Sequence, residues 1–156
     1  FVPGNCDPRP LLDVDLLGGA VNLHGRLLNF SGMELLGLGG SNKTPFITPT
    51  ELSEGEIRDI LSKLKPSKDF ILLSHTPPHN TSLDKVSLGR HVGSRALREF
   101  IEEEEPSLAV VGHIHEARGT EKLNSSLLVN PGPGFKGYYT IIEIGSKGID
   151  VELLTL

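Results

Sequence analysis

The chain has 156 residues, 37% hydrophobic and 22% charged, enough for one domain with one core and ordinary for a globular protein. A net charge of -5 without a dense Lys/Arg stripe disfavours a nucleic-acid polymer as partner, and the absence of Trp leaves few platforms on which bases could stack. The longest apolar runs, 70–73 and 108–111, are far too short to cross a bilayer, so no membrane partner is expected, and the single cysteine, Cys6, rules out an intrachain disulfide and suits a reducing, cytoplasmic setting.

The first seven residues, Phe1 to Asp7, read as the end of a strand running into a loop, and residues 8–20 read as loop, with Pro8, Pro10 and the Gly18-Gly19 pair. From Leu23 to Gly39, short apolar runs broken at Asn29, Ser31 and Gly32 predict a hairpin turning near Ser31-Gly32. Gly39-Gly40-Ser41 reads as a flexible elbow; its composition is that of a phosphate loop, but the lysine and spacing of a P-loop are missing. Thr50 to Lys65 carries a helical pattern, with Ser53 and Glu56 forming a capping box and Ile57, Ile60, Leu61 and Leu64 on one face, ended by Pro66. Asp69 to Ser74 predicts a buried strand, Gly93 to Glu104 a second helix with Leu97, Phe100 and Ile101 inward, and Ser107 to Val111 a second buried strand. The acidic run Glu102–Glu105 is a solvated helix end. Leu127–Val129, Tyr138–Ile144 and Ile149–Leu154 complete the strands, and the order of elements predicts an α/β sandwich of two sheets.

Both buried strands deliver histidine at the carboxyl end, in Ile71-Leu72-Leu73-Ser74-His75 and in Ala109-Val110-Val111-Gly112-His113-Ile114-His115. Ligands of open α/β sheets bind outside the carboxyl ends of the strands, and neutral imidazole is a good ligand for Zn, Mn, Fe or Ni. Two residues apart on an extended segment, His113 and His115 would point the same way, holding one ion between them or each reaching a different ion of a pair. Gly112 would let the backbone turn sharply at the strand exit.

Gly4-Asn5-Cys6-Asp7, then Ser74-His75, then Gly112-His113-Ile114-His115, in this order, resemble the later motifs of the calcineurin-like metallophosphoesterases. The family's motifs run D-x-H, G-D, G-N-H-D, a strand-end His and G-H-x-H, and the turn at Asn130-Pro131-Gly132 resembles its N-P-G turn. The resemblance implies that Asn5, His75 and His113 bind one metal and His115 the other, with two divalent transition-metal ions (Mn, Fe, Zn or Ni) in the intact protein. D-x-H and G-D are absent from the 156 residues. The chain is therefore expected to be the C-terminal part of a single metallophosphoesterase domain, residues 1–156, lacking the N-terminal strands that complete its two-metal site.

Cys6 stands where the resemblance places the histidine that protonates the leaving oxygen, beside a retained Asp7. A thiol, with a reference pKa of about 8.5, is a poor substitute for an imidazolium acid, and a small buried residue filling the histidine's space is the plainer expectation for Cys6. His79, across the stiff Pro77-Pro78 pair, is positioned to overhang the site and meet the phosphate or act as the missing acid. His91 precedes a helix whose N-terminus attracts anions and is the candidate substrate-binding residue. His24, between Leu23 and Gly25, reads as structural. The implied activity is hydrolysis of a small phosphomonoester or phosphodiester by metal-activated hydroxide, favouring leaving groups that need little protonation. The rival reading is a catalytically weak scaffold of the same fold. The sequence leaves oligomeric state and natural substrate open.

Overall fold

The computed structural model describes residues 1–67, 69–146 and 148–156. After a 3-10 turn at Arg9–Asp13, the strands in chain order are β1 (Leu16–Leu17), β2 (Ala20–Val21), β3 (Leu27–Phe30), β4 (Met33–Leu38), β5 (Ser41–Asn42) and β6 (Glu51–Leu52), followed by helix α1 (Glu54–Ser62) and β7 (Ile71–Ser74). Helix α2 (Arg95–Glu104), β8 (Leu108–Val110), β9 (Gly119–Leu123), β10 (Ser126–Asn130), β11 (Tyr138–Gly145) and β12 (Gly148–Thr155) complete the chain. A mixed six-stranded sheet in the order β3-β4-β7-β8-β10-β9 forms the centre. Its middle strands β4, β7, β8 and β10 are parallel, so their carboxyl ends open on one edge, while β3 and β9 flank them antiparallel. Strands β11 and β12 pair antiparallel in a separate two-stranded sheet. The fold is thus α/β, as the order of elements implies.

Both helices form for reasons written locally. In α1 the Ser53 side chain accepts from the Glu56 N–H while the Glu56 carboxylate accepts from the Ser53 N–H, closing the capping box. Ile57 and Leu61 are buried and Ile60 and Leu64 pack against the core from the same face. The helix starts at Glu54 rather than Thr50 because Glu51 and Leu52 are spent on β6, parallel to β5. Ser94 caps α2, whose buried face is Ala96, Leu97, Phe100 and Ile101. The core joins these faces to Leu36, Leu38, Leu72, Ala109 and Leu128 of the sheet. The exposed Glu103–Glu105 end is solvated, and Glu102 pairs with Arg98 one turn back. Among the described residues no helix is long and apolar enough to cross a membrane.

Several expectations need correction. No strand forms at Phe1–Asp7; the segment is held instead by the Leu23 N–H on the Phe1 carbonyl and the Gly40 N–H on the Pro3 carbonyl. Within 8–20 the chain makes the 3-10 turn and the β1-β2 hairpin, with Gly18 and Gly19 as its positive-φ turn residues. Gly39-Gly40-Ser41 is no flexible elbow: all three residues are buried, and Ser41 begins β5. Strand β9 has the sequence Gly-Thr-Glu-Lys-Leu, an edge strand with little apolar alternation to announce it.

The Ser31-Gly32 turn between β3 and β4 is present, with both residues at positive φ. Further along β4, Gly37 lets the Leu23-His24 segment lie directly on the strand. A Cβ there would meet Leu23 Cβ at 2.3 Å and the Leu23 carbonyl at 2.5 Å. Gly37→Ala should therefore destabilise the protein by about 2–3 kcal/mol through forced backbone displacement. Gly134→Ala, with nothing within 4 Å of the new methyl, should cost little; urea denaturation of the two variants tests the contrast.

Candidate metal centre

The carboxyl edge of the sheet gathers the site. His75 follows β7 directly, and its backbone is locked between the neighbours: its N–H donates to the Leu38 carbonyl at 3.0 Å and its carbonyl accepts from the Gly112 N–H at 3.1 Å. Asn5 reaches the same edge on the N-terminal segment, fixed by the Thr50 N–H on its carbonyl. Asn5 Oδ1 lies 2.9 Å from His75 Nε2 and 3.1 Å from His113 Nδ1, and the two imidazole centroids are 5.1 Å apart. Three donor atoms from three distant segments therefore converge, as the motif order implies.

The orientation of the Asn5 amide is set by partners the sequence reading missed. Its Nδ2 donates to the Thr48 hydroxyl at 3.0 Å, and that hydroxyl donates to Glu51 Oε1 at 2.8 Å. With the amide nitrogen spoken for, Oδ1 is the atom left for the imidazoles. The Thr44 hydroxyl also donates to Glu51, and this bond, followed by the Thr48 N–H, holds the Glu51 carboxyl down at about 2. Its negative charge sits behind His113 and works to raise that ring's pKa.

The histidines themselves are held neutral. Burial, first, and then the neighbouring His113 push His75 down to about 4, against the opposing pull of Asp7. His113 is lowered by burial and next by His115. Neutral imidazole is the ligand form. Donors about 2.1 Å from one tetrahedral ion lie about 3.4 Å from each other, so the Asn5–imidazole separations of 2.9 and 3.1 Å put these atoms within a small adjustment of sharing an ion. The ligand set fits one divalent ion. Among the described residues no group of three His, Cys, Asp or Glu side chains is placed to hold a metal ion, so Asn5 is needed as the third donor. His115 stands apart from these three donors, exposed and against Phe135.

The G-H-I-H loop departs from the extended geometry expected of it. Gly112 is not the strained residue; His113 is, at φ +65°, with the Ile114 N–H donating to the Gly112 carbonyl at 2.7 Å. That is a γ-turn of the strained hand, and it separates the two rings. His113 turns in to Asn5, whereas His115 is exposed and stacks edge-on against Phe135 at 5.3 Å. The turn is braced from beneath by the N-P-G segment. Asn130 Nδ2 donates to the Ile114 carbonyl at 2.9 Å, and Gly132, at φ +81°, passes so close to Arg118 and Tyr138 that a Cβ would meet each at 2.9 Å.

The remaining predicted residues separate into two groups. Cys6 is exposed, so it is not a buried space-filler in the histidine's place. Asp7 Oδ2 accepts from the Gly4 N–H at 2.6 Å and thereby closes the loop that presents Asn5. His79 and His91 lie together at the wall of a cavity of about 690 Å³ that His113 and His115 also line. Asp84, fully buried and missed by the sequence reading, joins them: its Oδ1 is 2.5 Å from His91 Nδ1 and its Oδ2 3.6 Å from His79 Nδ1. The α2 N-terminus is not free for an anion, because Glu54 Oε2 already accepts from the Ala96 N–H and the Ser94 hydroxyl. His24 is structural as expected, its Nδ1 accepting from the Gly39 N–H at 2.9 Å and its pKa lowered chiefly by burial.

The family described as Metallophosphoesterase, calcineurin superfamily, matches residues 22–154. The chain belongs to this family. It is 40% identical over 143 residues to the uncharacterized protein MJ1162 of Methanocaldococcus jannaschii, a match covering 88% of this chain and 64% of that protein. A solved crystal structure superposes with a TM-score of 0.68 at 26% identity, over 85% of this chain and 53% of the other. The protein TT1561 of Thermus thermophilus shares the fold at a TM-score of 0.59 and 20% identity, over 85% of this chain and 58% of its own. The chain thus spans between half and two thirds of the length of these relatives.

Two expectations follow for the metallophosphoesterase site. Replacing His113 by Ala or Gly removes the imidazole in both cases, but glycine accepts positive φ and alanine does not. In metal-free protein His113→Gly should be more stable than His113→Ala by about 1 kcal/mol, read from thermal unfolding. The second concerns Asp84. Burial opposes its ionisation, but the bonds from His91 and from the Gly93, Thr81 and Asn80 N–H groups outweigh this and leave its pKa depressed. Its contribution should therefore be complete above the ordinary aspartate value of about 3.9 and lost as pH falls through the lower native value. The stability gap between wild type and Asp84→Asn, measured by denaturation from about pH 5 down to about pH 2, should narrow as the pH falls below about 4.

Proposed function

We propose that the protein of which this chain forms part is a metal-dependent phosphoesterase, with phosphodiesters as the preferred class. The observation that carries the reading is the meeting of Asn5 Oδ1 with His75 Nε2 and His113 Nδ1 at 2.9 and 3.1 Å. A divalent ion held there, Mn, Fe, Zn or Ni by the nature of the donors, would polarise the phosphoryl oxygens and lower the pKa of a water.

The chain's own residues bind and orient. Asn5, positioned by Thr48 and Glu51, and the desolvated pair His75 and His113 present three neutral donors. His115 extends the site towards a second ion whose other ligands lie outside these 156 residues. The Gly4-to-Asp7 loop keeps Asn5 seated through the Asp7–Gly4 bond. A scaffold would need none of this donor set, and its retention favours the enzyme reading. A cytoplasmic setting belongs to the proposal and rests on Cys6, exposed and unpaired, which a reducing compartment keeps as a thiol.

Cys6 sets the substrate preference. Without an imidazole at this position, leaving groups that depart unassisted, such as aryl oxides, are favoured. His79 remains the alternative acid, at the cavity wall beside Asp84. The test uses the full-length protein with Mn and aryl phosphodiesters of graded leaving-group pKa. Asn5→Ala and His75→Ala should each lower the rate by about 10²-fold or more, in line with loss of a metal ligand or its support. Cys6→His should help poor leaving groups selectively, by up to the roughly 10²–10⁴-fold that general acid catalysis supplies. Wild-type protein that binds metal and hydrolyses no phosphoester would end the proposal. A rate indifferent to leaving group would remove the missing-acid explanation.

A further inference from the structure

The cavity beside the metal centre has a charge distribution that one reacting phosphate does not account for. The chain is acidic overall, at -5. Yet the wall of this cavity of about 690 Å³ carries Lys43, Arg90 and Arg95, with Glu116 as the one carboxylate among its lining residues. Among the described residues, none of these three cations makes an ion pair, whereas Arg9, Arg26, Arg58 and Arg98 are all paired elsewhere on the molecule. Unpaired cations gathered in a cleft focus field and concentrate anions.

The same wall is built from beneath. Asp84 is fully buried and receives the Asn80, Thr81 and Gly93 N–H groups, so its own charge is locally satisfied. Its Oδ1 takes the Nδ1 edge of His91 at 2.5 Å, while His79 Nδ1 lies 3.6 Å from Oδ2, and the two rings meet at 5.9 Å. Both rings line the cavity. A buried carboxylate that holds one imidazole, with a second beside it and three unpaired cations on the same wall, is the construction of a polar recognition wall. The cavity size suits a whole small-molecule ligand rather than a single phosphoryl group.

We propose that this wall is a second anion-binding site, taking a phosphate of the substrate other than the one hydrolysed, so that the substrate class is a phosphoester that carries a further phosphate group. The proposal rests on the phosphoesterase reading for its biological meaning and deepens it by naming what the non-reacting part of the substrate carries. The arginines supply planar forks suited to phosphate oxygens, and Lys43 a mobile point charge.

The test is made on the full-length protein in EDTA, so that metal neither binds the probe nor turns it over. Inorganic pyrophosphate and inorganic phosphate are compared by calorimetry at low salt. Pyrophosphate should bind about tenfold or more tightly than phosphate, and raising the salt should erode the difference. The triple variant Lys43→Gln, Arg90→Gln, Arg95→Gln should bring the two affinities within about twofold. A control, Lys63→Gln with Lys65→Gln, removes two cations outside this cavity and should leave the ratio unchanged. Equal affinities in the wild type, or a ratio that survives the triple variant or collapses in the control, would overturn the proposal. Because metal is absent, such a result leaves the hydrolase reading standing; loss of metal-dependent turnover with the pyrophosphate preference intact would instead sink the hydrolase reading alone.

Discussion

The carboxamide of Asn5 is the point on which the site depends. One oxygen serves two imidazoles that arrive from different strands, and one nitrogen is anchored to a hydroxyl that is itself anchored to Glu51. An amide rotated by 180° would turn N–H groups towards the rings and lose the convergence. The Glu51–Thr48 relay opposes that rotation by giving the nitrogen an acceptor on its own side, at the cost of holding a carboxylate within a buried cluster. Hydrogen bonds from Thr44 and Thr48 offset that cost.

The sheet supplies the rest of the precision. Parallel β4, β7 and β8 place His75 and the G-H-I-H loop side by side, and the backbone bonds of His75 to Leu38 and Gly112 fix their relative height. His113 is one of several described non-glycine residues held at positive φ, and Asn130 braces its turn through the Ile114 carbonyl. Strain held in this way commonly marks a functional residue. Burial keeps both His75 and His113 in the neutral form that binds a cation without first releasing a proton.

Much of this was legible in the sequence. Local signals were read correctly where they were complete: the Ser53–Glu56 box, the Ser31-Gly32 turn, the apolar strands before His75 and His113. The meeting of Asn5, His75 and His113 was legible because motif order in an α/β chain maps onto neighbouring strand ends. What could not be read depended on contacts remote in sequence. Asp84, Thr48 and Glu51 carry no motif, and their roles appear only when loops 42–51 and 79–94 fold over the carboxyl edge. The positive φ of His113 was misassigned to Gly112 because glycine is the residue expected to turn. Glu54 reaching across to cap α2 is a helix-to-helix contact that no local pattern announces. Clusters such as the Asp84–His91–His79 group would be found from sequence only by asking which buried acid satisfies each loop histidine.

The central claim, that Asn5, His75 and His113 form one ligand set, is open to direct observation. Histidine ring resonances of the metal-free chain can be followed by NMR while substoichiometric Mn is added. The account predicts that His75 and His113 broaden first and together, His115 next, His79 and His91 later, and that His24, bonded to Gly39 away from the donors, persists to the end. In Asn5→Ala the early pair should lose this priority. Broadening that begins at His24 or at the Asp84-linked histidines, with His75 and His113 left sharp, would contradict the assignment of the metal centre.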